Sequence, residues 1–570
     1  MTDPRTQRFL AATRTGRLSR RAVLETGLRL GVATPLLTSL VFAAPEAKGA
    51  PQMAAVPARQ DGASSGTFTN IITVGTEDFD PHYSYATLSS TIAMCLYDML
   101  IRYKGDSTTE IEPMLAESWE ANEDQSVVTF KIRPDVTFHD GTVCDAQAVK
   151  DSYTRWIELG GAPVNVITRF VESPDQMVAV DATTLRFDLG RPQPLFVYAM
   201  ASQYGPSVLS PTAIKEHATA EDPYAHEFFK ADGVGTGPYR LISNSLNEGL
   251  VFERFTEYRA GWEGNHFDRI IFRVVPEEAT RRQLLEQGDA DAAAFNLTVD
   301  NIEALRTNDR VTVVEYPSTA NQWVIMNVPR LKTVEARKGL SYAFPYDDVQ
   351  NAVFKGLLKR TGPLADSVRG YDPDVFLYPT DLAKAKELLL QGGFQEGDVF
   401  EYMFDSNDPR EATVGQLFQA NVQQIGFDLD LQAVDYATLE SSIFGDAPTE
   451  EKPHMYGGWG WWPDYNDAWN QLAPNFTAAN IGGGGSNAGA YDNARFEEIM
   501  AEAEHFTSEE EYDALMKEAQ NILTEQDPPA IYYGQIIYYT VIGKDIQGYV
   551  PNPLYLSSFD FWGLSRSPAT

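Results

Sequence analysis

The sequence predicts an α/β protein with mixed sheets, and three features carry that expectation. Apolar residues alternate with polar ones at Val128, Phe130 and Ile132, at Leu185, Phe187 and Leu189, and at Phe427, Leu429 and Leu431. That is the period of half-buried strands. Apolar stripes at helical spacing lie among these runs without any internal repeat, which points to strands and helices interleaved in one architecture. The chain can also fill a large core, since 43% of its 570 residues are hydrophobic and 22% charged, a balance foreign to disordered chains.

The helices are equally legible. Tyr512, Leu515, Met516, Ala519, Ile522 and Leu523 form one apolar face, closed by Pro528-Pro529. Leu382, Ala385, Leu388 and Leu389 form another, opened by Thr380 or Asp381 as cap and stopped by Gly392-Gly393.

The first 50 residues have a different character. Arg5, Arg8, Arg14, Arg17, Arg20 and Arg21 precede an apolar run from Leu30 to Ala44, and small residues dominate Ala43 to Ala50. A basic head, a short apolar segment and a small-residue end describe an export signal at residues 1–50. The apolar run falls short of the roughly 20 residues a membrane-spanning helix needs. Ser19-Arg20-Arg21-Ala22-Val23-Leu24 has the form of a twin-arginine signal. No cysteine stands near the cleavage region to accept a lipid. Residues 51–66 read as a flexible leader. Its Gly62-Ala63-Ser64-Ser65-Gly66 matches the hydrolase pattern GxSxG, but without the strand and helix that would expose a strained nucleophile.

Composition excludes several function classes. The formal net charge is −35, and residues 1–50 carry eight Lys/Arg against three Asp/Glu, so the exported chain is more acidic still. Such a surface repels nucleic acid and anionic lipid. Cys95 and Cys144 are the only cysteines. Both stand among apolar neighbours, where two buried unpaired thiols are expected. His82, His139, His217, His226, His266, His454 and His505 are scattered with no metal-binding spacing, so no metal or other cofactor is expected. Gly482-Gly483-Gly484-Gly485-Ser486 lacks the lysine of a phosphate loop and reads as a surface loop.

A series of short motifs then recurs in order: Phe79-Asp80-Pro81-His82, Tyr97-Asp98-Met99-Leu100, Leu115-Ala116-Glu117-Ser118-Trp119, and Phe138-His139-Asp140-Gly141. Gly235-Thr236-Gly237-Pro238-Tyr239, Glu286-Gln287-Gly288-Asp289-Ala290-Asp291, the Val334–Ala343 segment and Gly460-Trp461-Trp462-Pro463-Asp464-Tyr465-Asn466-Asp467 follow. In this order they resemble the family 5 extracellular solute-binding proteins of ABC importers, the peptide- and nickel-binding type. The resemblance runs from about Phe68 to Trp562. The sequence departs from the family pattern at Phe344-Pro345-Tyr346-Asp347 and at Arg369, which stands where tryptophan is common.

The resemblance implies a bilobed periplasmic-binding-protein fold. Residues 67–108, 235–326 and 530–570 would form lobe I, with an inserted domain at 109–234, and 327–529 would form lobe II. The chain would cross between lobes near Met326-Asn327-Val328 and Asp527-Pro528-Pro529. The implied function is an exported receptor, working as a monomer in the periplasm or at the cell exterior. It would capture a small peptide-like solute between the lobes and deliver it to a membrane permease, with no chemistry of its own. An exported peptidase or glycosidase using cleft carboxylates is the alternative from another class. The same fold binding a sugar or a metal chelate is a third.

Candidate ligand residues follow from position. Met455 to Trp462 reads as a strand with Trp459 and Trp461 on one face and glycines beside the indoles. In peptide-binding relatives the aspartate of the next turn pairs with the ligand's α-ammonium, a role that falls here to Asp464. The bland reading is that Asp464 only caps the turn. Arg369 could pair with a ligand carboxylate or make an ion pair with Asp366 or Asp372. His82, Tyr83 and Tyr85 occupy the family's first cleft-facing loop, where ordinary packing would explain them equally well.

Overall fold

The computed structural model describes residues 66–294, 297–445, 447–482 and 485–567. The expected export signal, nearly all of the leader with its GxSxG match, and two glycines of the 482–486 loop lie outside them. Ten strands of the main sheet follow in chain order: β1 (Thr67–Ile72), β2 (Tyr239–Ser245), β3 (Gly249–Arg254), β4 (Arg269–Val274) and β5 (Ala292–Ala294), then β6 (Val311–Met326), β7 (Val399–Asp405), β8 (Asp428–Val434), β9 (Met455–Trp461) and β10 (Ala530–Gly543). Their spatial order is β8-β7-β9-β6-β10-β5-β1-β4-β3-β2, and Leu358–Lys359 adds an eleventh strand against β10. The sheet is mixed, as expected. β1 is parallel to β4 and β5, and β7 is parallel to β8 and β9, whereas β6 runs antiparallel to β9 and β10.

The centre of the sheet is the long β6–β10 pair, which runs from Val311↔Gly543 to Ile325↔Ala530. Its alignment shifts between Gln322↔Gly534 and Trp323↔Tyr532, and jumps between Pro317↔Ile537 and Asn321↔Gln535. Proline has no N–H to give a ladder, so a break there is natural. The two strands also change outer partners across this break. Beyond it on one side, Thr540–Ile542 pair with β5, and on the other, Asn321–Met326 pair with β9. Phe68, Ile270 and Phe272 fill one core beside the first half of the sheet, and Phe400, Phe418 and Tyr533 fill another beside the second half.

A separate antiparallel sheet of four strands, Ala116–Ala121, Val127–Ile132, Thr184–Asp188 and Met177–Asp181, occupies the region expected as an insertion. Val128, Phe130, Ile132, Leu185 and Phe187 all point into its core, which confirms the alternation read from sequence. Helix Ala146–Leu159 covers this sheet. It starts where the Asp145 carboxylate accepts the Ala148 N–H, ends at Gly160 with φ 65°, and buries Val149, Tyr153 and Trp156. Helix Leu382–Gln391 likewise begins at Asp381 and stops at the glycine pair. The apolar face from Tyr512 is helix Glu509–Asn521, followed by one wider turn.

The Phe79-Asp80-Pro81-His82 motif ties the first loop to helix Ala146–Leu159. Asp80 is fully buried and takes two hydrogen bonds from Arg155, at 3.0 and 2.5 Å, while His226 Nδ1 lies 3.1 Å away. Burial alone would raise the Asp80 pKa; the His226 and Arg155 hydrogen bonds outweigh it and hold it well below the usual carboxylate range. Cys95 and Cys144 are free and buried, as expected.

Replacing Asp80 with alanine should destabilise the fold by about 3–5 kcal/mol, because Arg155 is left charged and unpaired inside the protein. Denaturant unfolding measures this directly. A loss below about 1 kcal/mol would show that the pair is not a structural tie.

Candidate functional site

The tryptophan-rich strand β9 lies between β6 and β7 because its glycines let large polar side chains reach its backbone. A Cβ at Gly457 would meet the Tyr402 hydroxyl at 2.1 Å. At Gly458, which has φ +69°, it would meet the Glu411 carboxyl carbon at 2.6 Å. The glycines therefore make room for Tyr402 and Glu411 on the neighbouring elements, rather than for the indoles as the spacing suggested.

Beside β9 lies a cavity of about 420 Å³. Its aromatic walls include Trp459, Trp461, Trp462, Tyr85 and Tyr204, with Tyr436 and Phe444 of the helix Tyr436–Phe444. Its ionisable residues other than tyrosine are Asp405, Asp408, Glu411 and Glu440, all acidic. Strand β9 and the helix Pro409–Gln424 supply one side, and the loops carrying Tyr85 and Tyr204 supply the other. The Tyr85 and Tyr204 rings pack at a tilt of 37° with centroids 4.5 Å apart, and Trp462 Nε1 reaches the Tyr204 hydroxyl at 3.4 Å.

Asp464 lies in the turn after β9, outside the residues that line this cavity, and reaches it through Tyr85. Its backbone N–H donates to Asn470 Oδ1 at 2.6 Å, and its carboxylate accepts a hydrogen bond from the Tyr85 hydroxyl. Among the described residues no lysine, arginine or histidine forms an ion pair with it. Burial pushes its pKa up to about 7, against a partial opposing pull from Asn470. A carboxyl in that state gains strongly from any cation brought to it.

The other expected residues separate cleanly. Trp459, Trp461 and Tyr85 line the cavity. Tyr83 is exposed and packs at a tilt against His226, with ring centroids 4.0 Å apart, beside a different surface depression. His82 does not reach the cleft. It is fully buried, with Nε2 2.9 Å from the Ser207 carbonyl and Nδ1 3.1 Å from Arg155, and burial followed by the Arg155 charge holds its pKa down at about 3. Arg369 is also outside the cavity. It pairs with Asp467 at 2.5 Å and with Glu509, and lies 4.3 Å from the Tyr512 ring centre. Neither Asp366 nor Asp372 is its partner; those two pair with Lys359 and Lys517. Sequence reasoning missed Tyr204, Asp405, Asp408 and Glu440 as cavity residues, and above all Glu411. It occupies the first turn of a helix, where glutamate is so ordinary that it attracts no notice.

The Asp464 carboxyl has a cost that pH should expose. Its folded pKa is about 7 and its ordinary value 3.8, so between these values the folded chain holds a proton that the unfolded chain has lost. Its contribution to stability therefore falls as pH rises across that window. Asp464→Asn removes this penalty. The variant's stability relative to wild type, measured by denaturant unfolding without ligand, should improve by on the order of 2 kcal/mol from pH 5 to pH 8. A difference that does not move with pH would contradict the elevated pKa.

Comparison with known proteins identifies the family and the fold. A probable D,D-dipeptide-binding periplasmic protein of Escherichia coli is 28% identical over 499 residues, covering 86% of this chain and 92% of that one. A glutathione-binding protein of Pectobacterium atrosepticum is also 28% identical, covering 86% and 93%. The fold is shared with the periplasmic binding protein DppA from Helicobacter pylori, solved in complex with the peptide STSA, at TM-score 0.74 and 23% identity over 88% of this chain and 98% of that one. Residues 110–483 match the middle region of the bacterial extracellular solute-binding proteins, family 5. With that match spanning most of the folded chain, this protein belongs to the family 5 extracellular solute-binding proteins.

Proposed function

We propose that the chain is the receptor of an ABC importer for a small peptide-like solute with a free ammonium group. It holds the solute in the cavity beside β9 and hands it to a membrane permease, performing no chemistry. The observation that carries this reading is the Asp464 carboxyl, bonded to the hydroxyl of the cavity-lining Tyr85 but to no cation among the described residues. The relatives named for dipeptides and glutathione support the same ligand class. We further place the hinge of closure at Pro317–Asn321 of β6 and Gly534–Ile537 of β10, where the central strands break register and change partners. This differs from the crossings expected at Met326–Val328 and Asp527–Pro529. A ligand touching both sides would stabilise the closed state.

Asp464→Asn keeps the shape of the turn and removes the charge. For dipeptides selected by thermal shift, calorimetry should show a loss of about 2–5 kcal/mol in binding. Unchanged affinity would remove Asp464 from the site and favour a neutral solute, such as a sugar stacked on Trp459 or Trp461.

Export through the twin-arginine route is part of the same proposal, supported by Ser19-Arg20-Arg21-Ala22-Val23-Leu24. Changing Arg20-Arg21 to Lys-Lys should leave precursor in the cytoplasm, as read by fractionation and immunoblot. Normal export of that variant would sink the twin-arginine assignment.

A further inference from the structure

Glu411 is a second buried carboxyl of the cleft, and the fold leaves it incomplete. It is 5% exposed and lines the cavity, yet its Oε2 has no hydrogen-bond partner among the described residues. Its Oε1 lies 3.5 Å from the Tyr533 hydroxyl, a contact at the limit of hydrogen bonding. The neighbouring aspartates are satisfied. Asp408 is held by Arg410, at 2.6 Å through Nη2 and 3.0 Å through Nε, and also caps the helix. Asp405 accepts from both the backbone and side chain of Asn407 at 2.9 Å. In the same cavity the indole N–H groups of Trp459 and Trp461 are buried and unpartnered. Buried polar groups are normally paired, so three orphans around one cavity describe a site that a ligand completes.

We infer that Glu411 forms a specificity subsite for a ligand side chain ending in an ammonium or guanidinium group. The Trp459 and Trp461 rings flank its aliphatic stem, and their N–H groups donate to ligand carbonyl or carboxylate oxygens. This rests on the reading of the cavity as the ligand site. A cation is favoured over a neutral donor for two reasons. Every ionisable side chain lining the cavity, tyrosines apart, is acidic, so no cation among the lining residues repels a positively charged guest. Indole faces also attract cations.

The groups facing Glu411 define its titration. Asp408 and Arg410 come from its own segment, Asp405 and Tyr402 from β7, and Tyr533 from β10, with uncharged Gln322 of β6 near Tyr533 and Gly458 of β9 against the carboxyl. Burial first, then the Asp408 charge, push the Glu411 pKa up to about 8 despite Arg410. At neutral pH it is mostly protonated, and an arriving cation exchanges for that proton.

The test compares Ala-Lys with the uncharged isostere Ala-norleucine by calorimetry at pH 7, in two buffers of different ionisation enthalpy. Wild-type protein should prefer Ala-Lys by about tenfold or more and release about one proton more on binding it than on binding Ala-norleucine, any release from Asp464 being common to both. Glu411→Gln should reduce the preference to under about threefold, entirely through Ala-Lys, and abolish that excess release. Equal wild-type affinities, or no excess proton release with Ala-Lys, overturn the proposal even if the glutamine variant does not fold. Asp464→Asn separates the two readings. If it changes neither dipeptide while the Glu411-dependent preference persists, the ammonium role of Asp464 falls and this subsite stands. If neither dipeptide binds, cadaverine is the probe: binding that Glu411→Gln abolishes sustains the subsite, and absence of binding overturns it.

Discussion

The β6–β10 ladder holds both halves of this protein in one hydrogen-bonded sheet while interrupting itself in the middle. Before the break the pair supports β5 and the strands beyond it; after the break it supports β9 and β7. The cavity is built on the second half and meets the first through the Tyr85 and Tyr204 loops. A hydrogen-bonded sheet resists sliding, because a shift of one residue would turn every side chain to the wrong face. It can still bend where register is already lost. The same two strands thus align the cleft and confine its motion to a few residues.

The acidic side chains sort into two groups according to whether an arginine accompanies them. In the frame, Asp80 has Arg155, Asp98 has Arg259 at 3.1 Å, Asp467 has Arg369, and Asp291 has Arg566 at 2.7 Å. In the cleft, Asp408 has Arg410, whereas Asp464 and Glu411 have hydroxyl neighbours instead. A buried carboxylate without a countercharge is costly and normally becomes protonated. Asp464 and Glu411 both show that response, and both are thereby poised to respond to a cation from outside.

Much of this was readable from the chain. The alternating runs at Val128 and Leu185 are strands, the stripe from Leu382 is a capped helix, and Trp459 and Trp461 do line a cavity. These features depend on neighbours a few residues apart. The failures share one cause, which is distance along the chain. Arg369 is claimed by residues 98 and 140 positions away, and His82 by a carbonyl 125 positions away. Glu411 acquires its character from β9 and β10. The glycines of β9 were recognised as necessary but credited to the wrong neighbours, since spacing reveals that room is needed and not what fills it.

The two cysteines set the conditions under which the chain can mature. Neither is bonded to the other, and burial raises both thiol pKa values above the ordinary range. The native state contains no covalent cross-link that an oxidising compartment must install, and its thiols present no thiolate to stray electrophiles. The native state is consequently complete without a disulfide, and reductant added to the folded protein has no cross-link to break.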